Sequence, residues 1–137
     1  VTSHESFLTT VYNRVTQDAV LQELSGGEVR LFHKMATPDP PFPYHVYKLR
    51  FELVDEIIAD GQLLWDVWDY HPDSARALQM GARVKQLLHN HVDIALYGAS
   101  LAFARMDTVE TDNEEVQRVA LRFSTFWPDL DLVQTPG

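Results

Sequence analysis

Three stretches of this chain concentrate side chains able to do chemistry. The densest is His89-Asn90-His91-Val92-Asp93. Two histidines separated by one residue share a face on an extended backbone, and with Asp93 they would offer three ligands to a zinc-like ion. The segment follows a helical stretch, however, and His and Asn also suit a helix C-terminus. A solvent-facing helix cap is therefore the expectation, with a small metal-dependent enzyme as the alternative. The second stretch is Trp65-Asp66-Val67-Trp68-Asp69-Tyr70-His71. Asp66 and Asp69 could share acid and base work only by converging, and residues three apart on a strand point to opposite faces. The third, Asp107 to Glu115, adds Glu110, Asp112, Glu114 and Glu115 to Asp107 but lacks the ligand spacing and glycine of an EF-hand. It reads as a solvated charged loop.

Nucleophilic chemistry has no better footing. There is no Gly-x-Ser-x-Gly, phosphate-binding glycine loop or His-Glu-x-x-His. Ser25-Gly26-Gly27 could cradle an anion, but Glu28 follows at once, and a glycine pair after a helix is more simply a C-cap. The chain has no cysteine, which removes disulfides, thiolate metal sites and cysteine nucleophiles. No catalytic residue, cofactor or metal is assigned, and the expectation is a protein that is not an enzyme.

The elements that carry these stretches follow from hydrophobic spacing. Thr2 to about Leu24 reads as helix, with Thr2 and Glu5 at capping-box spacing and Phe7, Val11, Val15 and Ala19 at helical intervals. Thr16 to Asp18 is a candidate break that would make two helices of one. Val29 to His33 is a short strand, followed by four prolines between Thr37 and Pro43, which stiffen the backbone and forbid ladder pairing. Tyr47, Leu49, Phe51 and Leu53 then alternate with Lys48, Arg50 and Glu52, the period of a half-buried strand. Asp60-Gly61 signals a hairpin turn into a strand from Leu63 to Tyr70. His71-Pro72-Asp73 opens a helix running to about Asn90, with Ala77, Gly81, Val84 and Leu88 as its buried stripe. Gly81 in mid-helix costs about 1 kcal/mol relative to alanine, so close packing on the sheet is expected there. Ala99 to Met106 and Val116 to Trp127 form a closing hairpin, with Val119, Leu121, Phe123 and Trp127 on one face. The fold class is α+β, a mostly antiparallel sheet of about five strands with two main helices on one face, in the order α-β-β-β-α-β-β.

Length and charge bound the rest. The 137 residues fit one domain, with 128–137 as a candidate flexible arm. A net charge of −9 argues against a free-standing duplex binder, because phosphate neutralisation supplies most of such affinity. No apolar run approaches a membrane span and no signal-peptide pattern opens the sequence, so a soluble protein made in the cytosol is expected. On the Trp65–Tyr70 strand, Trp65 is assigned to the core. Trp68 and Tyr70 share the other face, where an exposed aromatic pair marks a partner surface. With the proline loop, Phe42, Tyr44, Trp68, Tyr70 and Trp127 are the candidate contact residues.

Taken in order, several segments resemble the tail-terminator or tail-completion proteins of long-tailed phages. They are Asp18-Ala19-Val20-Leu21-Gln22-Glu23-Leu24 before a glycine turn, Phe42-Pro43-Tyr44-His45-Val46-Tyr47, Leu64-Trp65-Asp66-Val67-Trp68, Ser74-Ala75-Arg76-Ala77-Leu78, and Arg122-Phe123-Ser124-Thr125-Phe126-Trp127. The likeness runs from about Phe7 to Trp127 and consists of element order and hydrophobic placement; the acidic loop and residues 128–137 have no counterpart in it. It implies a virion protein of the tail or neck that forms a homo-oligomeric ring, typically a hexamer. The ring would end tail-tube polymerisation and contact the tail tube protein and the head-tail connector or stopper. DNA would pass through its lumen without specific binding. A neighbouring neck component such as a stopper is the alternative.

Overall fold

The computed structural model describes residues 3–54, 57–89 and 100–126. The elements are α1 (Ser3–Thr16), α2 (Ala19–Leu24), β1 (Leu31–His33), β2 (Tyr44–Val54), β3 (Ile57–Tyr70), α3 (Ala75–Leu88), β4 (Ser100–Val109) and β5 (Val116–Phe126). Five strands make one sheet in the order β1-β2-β3-β5-β4. All neighbours are antiparallel except β1 and β2, which run parallel. The α+β class and the mostly antiparallel sheet of five strands therefore stand as expected. The element order gains one helix.

That helix arises at the candidate break. Asp18 takes an extended backbone and its carboxylate accepts the Leu21 amide at 2.9 Å, which caps a new helix. The same carboxylate holds Arg83 of α3 through two hydrogen bonds of 2.9 and 2.7 Å, and these keep its pKa below the usual range. Ala19, expected on the buried stripe, is exposed because the stripe ends with α1 at Val15. At the other end Gly27 N–H reaches the Gln22 carbonyl (2.8 Å) and Gly26 N–H the Glu23 carbonyl (3.2 Å). With Gly26 at φ +82°, this is a Schellman cap, so the glycine pair ends a helix and does not cradle an anion. Thr2, half of the expected capping box, lies outside the described residues.

Two boundaries differ from the sequence reading. Asp60 and Gly61 are not a turn: they sit inside β3, paired with Glu52 and Phe51, and the two strands continue to Val54 and Ile57. The ladder runs on through Leu53–Ile58 and Val54–Ile57, and this backbone pairing outweighs a local turn preference. The third helix begins at Ala75, not at Pro72; Asp73 stays outside it and accepts the Ala75 amide at 2.9 Å.

The core lies between the inner sheet face and the helices. It joins Phe7, Val11 and Val15 of α1, Leu21 of α2, and Ala77, Met80, Val84 and Leu88 of α3 to Leu63, Trp65, Val67, Val119, Leu121 and Phe123 of the sheet. Gly81 lets α3 approach β4 and β5 closely. A Cβ there would lie 2.9 Å from Met106 Sδ, 3.3 Å from Leu121 Cδ1 and 3.4 Å from Val119 Cγ1. Gly81→Val should therefore cost at least about 2 kcal/mol by overpacking, measured by chemical denaturation; a loss below 1 kcal/mol would show that the helix can lift off the sheet freely.

Candidate functional site

Strand alternation sorts the chemically able side chains onto two faces. On β3, Trp65 and Asp69 point inward and are 1% and 0% exposed. Asp66, Trp68 and Tyr70 point outward. The two carboxylates do not converge, as the strand spacing requires. Asp69 forms a two-pronged ion pair with Arg76 (2.9 and 2.6 Å), while Asp66 pairs with Arg118 at 3.2 Å on the other face. Each is matched to an arginine, which makes them structural ion pairs.

The histidine stretch resolves in part. His89 is the C-cap of α3, and its Nδ1 accepts the Phe103 amide of β4 at 2.8 Å. The cap is as expected, but the side chain is half-buried against β4 and does not face solvent freely. His91 and Asp93 lie outside the described residues. The acidic loop is shorter than expected, because Asp107 belongs to β4 and pairs with Arg105 at 2.6 Å. Among the described residues no cluster of three or more His, Asp or Glu side chains could hold a metal. No helix among them is long and apolar enough to cross a membrane.

What the fold does bring together is the aromatic set. Tyr44 pairs in register with Trp68, and their rings stack at 6.1 Å with 12° between planes. Phe42, at the end of the proline loop, lies 5.3 Å from Tyr44 and 5.9 Å from Tyr70. Phe32 of β1 meets Tyr44 edge-on at 6.1 Å, and Arg118 lies over Trp68 at 5.1 Å. Tyr70 is 50% exposed and hydrogen-bonds Glu115, a bond that raises the phenol's pKa. Four of the five candidate contact residues thus form one continuous patch on the outer face; Trp127 lies outside the described residues. Phe32 was missed because its parity on a three-residue strand carries no signal by itself.

His45 is a further inward-facing residue of the site region. It is fully buried on the inner face of β2, and its Nδ1 accepts the Trp65 indole N–H at 3.0 Å. Its proton therefore sits on Nε2, which has no partner among the described residues. The inward parity it shares with Tyr47 was the available signal.

No family model and no curated protein matches the chain. Solved structures do. A chain from the virion of a native gene transfer agent particle is similar over 84% of this chain and 89% of its own, with a TM-score of 0.63 and 21% identity. A second solved structure is similar over 91% of this chain and 98% of its own, with a TM-score of 0.57 and 12% identity. At these identities the likeness establishes the fold: a five-stranded α+β sandwich that also occurs in a virion particle.

Proposed function

We propose that this chain is a structural protein of a phage or phage-like virion, acting as a tail terminator. In this reading the chain is one domain, made in the host cytoplasm, that assembles into a ring, typically a hexamer. The ring ends tail-tube growth at the head-proximal end and offers a joining surface to the connector or stopper. The observation that carries the proposal is an aromatic contact patch on a fold that a gene transfer agent virion also contains. Rings need heterologous contacts that close by rotation, and interface cores are enriched in Tyr, Trp and Phe. A stopper would be expected as a β-barrel with a plugging loop; an open sheet with helices on one face favours the terminator. The acidic balance suits a lumen through which DNA passes without adhering.

Removing the protein during particle assembly should leave overlong tails that do not join heads. Tails of normal length that still join would refute the assignment. At the patch, Trp68→Ala should weaken subunit association about thirtyfold or more, the effect of losing an aromatic hot spot. Sedimentation of the folded variant measures this, and undiminished association would remove the patch from the interface.

A further inference from the structure

The outer sheet face holds a second feature, separate from the aromatic patch. Lys48 of β2 pairs in register with Leu64 of β3, Leu64 with Arg122 of β5, and Arg122 with Arg105 of β4. One row across four strands thus carries three cations, with Arg50 exposed two residues further along β2. Neighbouring strands are about 4.8 Å apart, so Lys48 and Arg122 are about 10 Å apart at the backbone and Arg122 directly faces Arg105. Like charges opposite each other on adjacent strands destabilise a sheet. Asp107 offsets this for Arg105, and Asp66 takes Arg118. Lys48, Arg50 and Arg122 have no carboxylate partner among the described residues. The row lines an open groove of about 610 Å³, to which Arg118 adds a fourth cation and Asp66, Asp107 and Glu110 add carboxylates. This concentration stands on a chain of net charge −9.

The matching anion is present on the same chain. The β4–β5 loop carries Asp112 and Glu114, both exposed, beside Glu115, which Tyr70 holds. Thr111 Oγ1 donates to either the Asn113 or the Val116 carbonyl (both 2.7 Å), and Asn113 Oδ1 accepts the Glu115 amide, so the loop presents its carboxylates on a braced turn. We propose that the Lys48–Arg122 row of one copy receives Asp112 and Glu114 of the next copy's β4–β5 loop. This contact is head-to-tail, the kind that closes into a ring. It rests on the ring reading and assigns the charged half of its subunit interface. It also turns the basic face away from the lumen, where cations would retain DNA.

Charge reversal tests it on the full chain. Lys48→Glu with Arg122→Glu should weaken association at least about tenfold, and Asp112→Lys with Glu114→Lys should do the same. All four together should restore it. Sedimentation equilibrium at low and high salt reads the association, and circular dichroism checks the fold. Wild-type rings that tolerate both reversals, or a four-fold variant that stays dissociated, would overturn the contact while leaving the ring standing. A wild-type chain that remains monomeric would overturn it too, and the ring reading is then judged separately by the tail-length experiment. Binding of short duplex DNA by the wild type, lost on reversing Lys48 and Arg122, would assign the row to nucleic acid instead.

Discussion

Trp65→Ala should lower the unfolding free energy by about 4 kcal/mol, the upper part of the range for deleting a buried aromatic. The side chain is 1% exposed and central to the sheet, in register with Tyr47 on one side and Leu121 on the other. Its ring lies 5.5 Å from Tyr47 and 5.8 Å from His45. Truncation therefore opens a cavity bounded by strands on two sides, which the sheet cannot close without breaking ladder bonds. It also removes the indole N–H that His45 accepts, leaving both imidazole nitrogens without partners among the described residues. Folded domains have only about 5–15 kcal/mol in total, so the variant should be close to unfolding at physiological temperature. Trp65→Phe separates the two contributions. It retains most of the ring volume but loses the N–H, and should cost about 1–2 kcal/mol. Urea denaturation followed by circular dichroism measures both. A loss below 1 kcal/mol for Trp65→Ala would mean that Trp65 is not the centre of the core.

Acidification should act through His45. Burial pushes its pKa down from 6.5 to about 4. The hydrogen bonding acts in the same direction, because Nδ1 already accepts from Trp65 and a proton added there would face the indole N–H. In the unfolded chain the imidazole returns to its ordinary value. Between pH 6.5 and 4 the unfolded state therefore binds more protons than the folded state. The stability contributed by the neutral ring is complete above about pH 6.5 and is lost as pH falls towards 4. The span corresponds to about 3 kcal/mol. Carboxylates such as Asp18, held low by Arg83, add their own loss at lower pH. The discriminating measurement is therefore the slope of stability against pH in wild type and His45→Phe. The variant should be less stable at pH 7, since Trp65 loses its acceptor, yet flatter between pH 6.5 and 4. Parallel slopes would show that His45 does not titrate in this window.

Both predictions concern residues whose inward orientation follows from alternation alone. Successive strand side chains point to opposite faces because of the pleat. Trp65 and Asp69 had therefore to lie opposite Asp66 and Trp68, whatever the rest of the chain did. The same local logic fixed the α3 stripe and the helix stop at Gly26-Gly27. Asp60-Gly61 shows its limit: the dipeptide signals a turn in isolation, but pairing with Phe51 and Glu52 carried the strands past it.

The candidate contact surfaces needed more than alternation. The patch exists because β2 and β3 pair with Tyr44 opposite Trp68, and because the proline loop returns the chain so that β1 lies parallel to β2. The basic row joins Lys48 to Arg122 across 74 positions of sequence only through the registers β2–β3 and β3–β5. Register is set by which long-range pairing buries the whole inner face at once. The sequence by itself settled the faces of the longer strands and of α3, and the absence of motifs for nucleophilic chemistry. Tertiary structure alone decided which outward side chains meet: the aromatics as one patch and the cations as one row.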